Sequence, residues 1–371
     1  MPRLTVTKVP FQDLRAAYHE LKAELDEAYR RCMDSGWYVL GQEVASFEEE
    51  YAAYCGACQC VGVGNGLEAL HLSLRAVGCG PGNEVIVASN TYIATWLAVT
   101  QVGATLAPVE PLEKTFNLDP GRIEEAVTPK TKVILATNLY GQPCDYDAIR
   151  AVADRHGLVF MTDNAQAQGA RYRGRRVGAL ADVECHSFYP SKNLGALGEA
   201  GTVTTNDAAI ADRIRVLRNY GSRVRYQNEV IGYNSRLDEL QASLLRVKLR
   251  RLDDWNLRRT QVARFYGEAL KDSRCVLPSV PDWAEPVWHL FVIRNQNRDA
   301  LQKNLADRGI QTIIHYPIPP HLSGAYRSLH WAPGSFPIAE TLAQEVLSLP
   351  IGPHLDPPSA EAVVQAVLAS P

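Results

Sequence analysis

The chain has 371 residues, 46% hydrophobic and 21% charged, with a formal net charge of −3. Its length predicts a large domain with a smaller companion rather than one small core. It has no Lys/Arg run and no apolar stretch near the ~20 residues of a bilayer span, so no nucleic-acid or membrane partner is expected.

The opening stretch MPRLTVTKVPF lacks the apolar core of a secretory signal, and the expected location is cytoplasmic. Of eight cysteines, Cys55, Cys58 and Cys60 lie close together. No second Cys/His pair follows at zinc-site spacing, so these read as small apolar residues and no metal is expected.

From about residue 60 to 250, short apolar runs alternate with helical ones. VGVG (61–64) precedes LEALHLSLRAV, and EVIVAS (84–89) precedes TYIATWLAVTQVG. ATLAPVE (104–110) is short and extended. KVILATNLYG (132–141) precedes the amphipathic DYDAIRAVADRHG, and LVFMT (158–162) ends on Asp163. This alternation predicts an α/β fold, a mostly parallel sheet with helices on both faces. A helix AAIADRIRVLRNYG is followed by SRVRYQNEVIGYNSR, a loop long enough to expect a function. Residues 236–270 read as one long helical region. A strand at 288–295, a helix at 298–309 and a strand at 311–316 then predict a small α+β domain. The expected division is 1–250 and 251–371.

The segment HSFYPSKNLGALGEAG (186–201) sets one lysine, Lys192, after an apparent buried strand and before Gly195, Gly198 and Gly201. Glycines let the backbone pass close to something bulky. A desolvated lysine loses proton affinity and suits imine formation with an aldehyde. Taken alone, this could also be a surface lysine. Asp163, at the carboxyl end of a strand, could pair with a pyridinium nitrogen, although an Asp there also commonly caps the next helix. GNGLEAL (64–70) runs from strand to helix, so the N–H groups near Gly66 and Leu67 can face an anion. Leu67 stands where a dinucleotide fingerprint would need glycine, which disfavours a nicotinamide enzyme.

At these residues the chain resembles the DegT/DnrJ/EryC1/StrS sugar aminotransferases of the fold-type I pyridoxal phosphate (PLP) enzymes. The likeness runs through VPFQDL (9–14), SGWYVLGQEVASFEEEYAAYCG (35–56), GPGNEVIVASNTYIAT (80–95), TFNLDP (115–120), DNAQAQGA (163–170) and SFYPSKNLGALGEAGTV (187–203). It continues through RNYGS (218–222), NSRLDELQA (234–242), HYPIPPHL (315–322) and LSLPIGPHL (347–355).

The resemblance implies PLP held by Lys192 as a Schiff base, Asp163 at the pyridine nitrogen, Gln166 beside the ring hydroxyl, Tyr92 on the ring face and Ser187 on the phosphate. It implies a homodimer with shared sites, Asn234 reaching the phosphate of the partner subunit. Tyr189, His315 and Tyr316 match residues lining a sugar pocket. Arg223 and Tyr226 add cations and an aromatic ring suited to a nucleotide diphosphate. The family often has Asn-Ser-Gly-Thr where this chain has Gly64-Asn65-Gly66-Leu67, which removes a hydroxyl from the phosphate site. Asn164 and Gln168 also depart from the pattern around Asp163.

The implied reaction moves the amino group of glutamate onto C3 of a dTDP-linked 3-keto-6-deoxyhexose, releasing 2-oxoglutarate. Amination at C4 and a non-catalytic nucleotide-sugar sensor are the alternatives. A sugar dehydratase of the same fold would carry His in place of Lys192.

Overall fold

The computed structural model describes residues 8–370. The leading residues of the stretch read for a secretory signal, 1–7, lie outside the described residues. Among the described residues no helix is long and apolar enough to cross a membrane.

The large sheet has seven strands in the order Gln59–Val63, Gly201–Thr205, Val183–Ser187, Val159–Asp163, Thr131–Thr137, Glu84–Ala88 and Thr105–Val109. The neighbours from Val183–Ser187 to Thr105–Val109 pair in parallel. Gly201–Thr205 runs antiparallel to both of its neighbours, so the sheet is mixed but mostly parallel. Alternation along the strands fills both faces. Val85, Val87, Val133, Leu135 and Met161 pack with Leu70, Leu72, Leu74 and Trp96 on one side. Ile86, Ala88, Ile134, Ala136 and Phe160 pack with Tyr146, Ile149 and Val152 on the other.

The smaller core gathers around the antiparallel strands Phe291–Arg294 and Val346–Leu349 and the helices Arg298–Asp307 and Pro357–Leu368. Val9 is fully buried in this cluster and bridges in parallel to Ile310.

Three expected elements differ in detail. The region 236–270 is two helices, Glu239–Leu249 and Leu252–Ala269. The break at Arg250 and Arg251 redirects the chain: Leu249 and Leu252 stay in a cluster with Phe47, Tyr51 and Phe188, while Ala263 and Tyr266 reach the small core. The 311–316 segment is no strand, for only Ile313 pairs, with Ser348. Its next polar groups are diverted to side chains: His315 Nδ1 bonds Ser348 Oγ at 2.8 Å, and the His315 carbonyl accepts from the Tyr140 hydroxyl. The 222–236 loop holds a small hairpin pairing Ser222–Val224 with Gln227–Asn228.

Glu239 joins two helices. Its buried carboxylate accepts from the N–H groups of Gly41 (2.7 Å), Glu43 (2.8 Å) and Val44 (3.0 Å), at the start of helix Gln42–Cys55. A carboxylate there satisfies orphan donors and complements the positive helix end. Glu239→Ala should therefore lower stability by about 3 kcal/mol, read as the urea unfolding midpoint, with Glu239→Gln losing clearly less. Equal midpoints for Glu239→Ala and the unaltered protein would show the cap to be dispensable.

Candidate active site

The carboxyl ends of the parallel strands share one edge of the sheet, where open α/β folds bind ligands. Asp163 closes Val159–Asp163 and Ser187 closes Val183–Ser187. Gly66 opens helix Gly66–Ala76, and Tyr92 caps helix Ile93–Gln101.

Asp163 is buried, with Oδ1 accepting from the Ala165 N–H (3.0 Å) and Oδ2 from the Thr95 hydroxyl (2.8 Å). Burial raises its pKa, and the two hydrogen bonds and the charge of Lys192 oppose that rise. Lys192 retains partial exposure. Desolvation pushes its ammonium down to about 8, and Asp163 works against that shift. The free amine, the form that attacks carbonyls, is therefore far more populated near neutral pH than in an ordinary lysine, although the ammonium still predominates. The lysine sits on a tight turn, its N–H bonding the Tyr189 carbonyl at 2.8 Å. A Cβ on Gly195 would stand 2.3 Å from the Pro190 carbonyl oxygen, so only glycine lets this turn close.

Gly66 makes the second close approach: a Cβ there would lie 2.5 Å from Ser187 Cβ. Asn65 caps this helix through Glu68 N (2.9 Å), not through Gly66 or Leu67. The N–H groups of Gly66 and Leu67 thus stand at a positive helix end beside the Ser187 hydroxyl, a donor set that fits a phosphate. The lost family hydroxyl leaves backbone and Ser187 donors.

Gln166 accepts from Tyr140 N at 2.6 Å and donates to the Tyr316 hydroxyl at 3.0 Å. Tyr316 packs on Tyr92, with ring centroids 5.1 Å apart. Tyr92 is 52% exposed, leaving ring surface open for a flat ligand. His315, beyond its bond to Ser348, is pushed down to about 4 by burial, with Lys192 acting in the same direction. Tyr189 is exposed.

The structure does not bring every expected residue to this pocket. Arg223 pairs with Asp212 and Glu229. Tyr226 is 83% exposed, with Arg225 over its ring. Asn234 lines a polar cleft with Gly64, Asn65 and Glu68 of its own chain. Of the clustered cysteines, Cys55 and Cys60 are buried and Cys58 is exposed. Sequence reasoning missed Thr95, Tyr140 and Ser348, which hold Asp163, Gln166 and His315 in place. Thr95 lies three residues after Tyr92, and a hydroxyl in that first helical turn was the available sign. The departures are accommodated: Asn164 donates to buried Glu184, and Gln168 donates to the Ser187 carbonyl at 2.7 Å.

Comparison with known proteins supplies a family. Residues 19–368 match the model of the DegT/DnrJ/EryC1/StrS aminotransferase family. The chain is 58% identical to the erythromycin biosynthesis sensory transduction protein EryC1 of Saccharopolyspora erythraea, covering 97% of this chain and 99% of that one. It is 53% identical to the dTDP-3-amino-3,4,6-trideoxy-alpha-D-glucose transaminase of Streptomyces venezuelae (98% and 97% covered). It is 52% identical to the dTDP-3-amino-3,6-dideoxy-alpha-D-galactopyranose transaminase of Aneurinibacillus thermoaerophilus (97% and 98%). The crystal structure of S. venezuelae DesV in complex with a ketimine intermediate superposes with a TM-score of 0.96, at 54% identity and 97% coverage of each chain.

The donor set at Gly66, Leu67 and Ser187, the Asp163 carboxylate, the open Tyr92 ring and the Lys192 amine fit PLP. Gly66→Ala should weaken PLP binding at least about tenfold, since the added methyl meets Ser187 in a packed turn. An absorbance titration of the apo-protein measures this; unchanged affinity would remove Gly66 from the cradle.

Proposed function

The chain belongs to the DegT/DnrJ/EryC1/StrS aminotransferase family, and we propose that it moves the amino group of glutamate onto C3 of a dTDP-linked 3-keto-6-deoxyhexose. The products are 2-oxoglutarate and a dTDP-3-amino-3,6-dideoxyhexose. The observation that carries the reading is the convergence of the Lys192 amine and the Asp163 carboxylate in one desolvated pocket at the strand ends. The position on the sugar draws support from the two dTDP-sugar relatives. Their products differ at C4, where one is deoxygenated, and both carry nitrogen at C3.

PLP, bound here, supplies an electron sink that makes the carbon bearing nitrogen acidic. Lys192 would hold it, and the same Nζ would serve as the base and acid for the proton at that carbon, a role that requires the free amine its burial favours. Asp163, fixed by Thr95 and Ala165 N–H, provides an anion for the pyridine nitrogen through a charge-assisted hydrogen bond. Gly66, Leu67 and Ser187 hold the phosphate. The Tyr92 ring would cover one face of the cofactor, and Gln166, tied to Tyr316, would stand beside the ring hydroxyl. Tyr189, His315 and Tyr316 line the sugar side.

Arg223, Tyr226 and Asn234 serve the site of a second copy in a homodimer. The exposed apolar groups Val224, Tyr226, Val230 and Ile231 on the same segment support this, because such a patch calls for a cover.

Two outcomes test the proposal. With glutamate and the 3-keto sugar, NMR of the product should place nitrogen on C3; nitrogen on C4, with the 3-keto sugar ignored, would overturn the position and leave the aminotransferase intact. Lys192→Ala and Asn234→Ala chains, each poorly active alone, should regain activity when mixed, because one site of a hybrid dimer is complete. No recovery despite demonstrated subunit exchange would count against shared sites.

A further inference from the structure

Beside Lys192 lies a chain of buried polar side chains whose donors and acceptors can be assigned. Asn256, on helix Leu252–Ala269, donates from Nδ2 to the Gln168 carbonyl at 3.0 Å, so its Oδ1 is an acceptor. Asn193, which follows Lys192, donates from Nδ2 to that Oδ1 at 2.8 Å and to the Val287 carbonyl at 2.9 Å. Turning the Asn193 amide over would set its oxygen against two other oxygens. Its Oδ1 therefore faces the remaining partner, His289 Nδ1, 3.1 Å away. An acceptor at that distance requires a proton on Nδ1. Asn193, Asn256 and His289 are all buried, so bulk water does not compete for these bonds.

We propose that His289 is a positioning residue for Lys192: its Nδ1–H, donated to Asn193, fastens the peptide after the lysine to the segment 287–289 and leaves Nε2 as a bare lone pair. The inference rests on Lys192 carrying the cofactor. The ring stays uncharged, because burial lowers its pKa well below the usual histidine range and Lys192, Arg259 and His315 act in the same direction. No imidazolium charge is thereby added beside the lysine, whose proton affinity is governed by its own burial and by Asp163. The far end of the chain reaches the cofactor cradle, since Gln168 also donates to the carbonyl of Ser187. One set of four side chains thus ties together the loop after Asp163, the turn of Lys192 and the segment 287–289 that leads into strand Phe291–Arg294.

Nitrogen NMR of 15N-histidine-labelled holoenzyme, with His289→Asn to identify the resonance, reads the tautomer directly. Nδ1 should be protonated and Nε2 bare throughout about pH 6 to 8. The opposite tautomer, or titration within that interval, would overturn the proposal.

His289→Leu should lower kcat about tenfold, keep KM for the sugar within about twofold, and shift the pH midpoint of the cofactor's visible absorbance. His289→Asn keeps an N–H near the Nδ1 position and should stay within about threefold of the unaltered enzyme. Equal losses in both variants, or no loss in either, would remove the positioning role. Should His289→Leu fail to fold, the tautomer and the His289→Asn spectrum decide. Cofactor binding that survives Lys192→Ala unchanged would instead undercut the underlying reading, and the tautomer measurement does not depend on that reading.

Discussion

The site depends on two opposite charges placed where water cannot fully solvate either. Burial drives the Lys192 ammonium toward the free amine and the Asp163 carboxylate toward the neutral acid, and each charge partly restrains the other. The Ala165 N–H and Thr95 oppose the rise for Asp163 without reversing it, because a carboxylate accepting two hydrogen bonds keeps more of its anionic character. Among the described residues no side-chain acceptor gives Lys192 comparable help. The asymmetry suits the chemistry, which asks for a persistent anion at one end of the pocket and a titrating base at the other.

The surrounding fold serves that pair. Parallel strands deliver Asp163 and Ser187 to the same edge, and neighbouring helices begin there with Gly66 and Tyr92. Segments beyond residue 286 also reach the site. Tyr316 is linked to Gln166, His315 to Tyr140, and His289 to the turn of Lys192. The pocket is therefore closed by hydrogen bonds between two cores, so a change in their relative position would be felt at the residues that face the cofactor and sugar.

Much of this was legible in the sequence. Apolar runs of four to seven residues followed by amphipathic stretches fixed the order of strands and helices around residues 59–163, and Lys192 and Asp163 stood out by position. What escaped had a common cause. Thr95, Tyr140 and Ser348 act through long-range hydrogen bonds, which leave no periodic trace in a linear chain. The 311–316 segment has a strand's composition, yet beyond Ile313 the His315 carbonyl bonds the Tyr140 hydroxyl rather than a neighbouring strand. The break after Leu249 falls between residues that are individually good helix formers, so only packing against two different cores distinguishes it.

The bridge from Val9 to Ile310 has a consequence for how such a chain is made. A ribosome releases residues in order, and the buried niche of Val9 is built from segments such as 291–294, 346–349 and 360–367, which emerge some three hundred residues later. The large sheet can close once residues 201–205 are available, whereas the segment around Val9 must wait, its niche incomplete, until residues 346–367 have emerged. Completion of the smaller core is thus a later event, coupled to the emergence of residues 346–367 rather than to the folding of the sheet that precedes it.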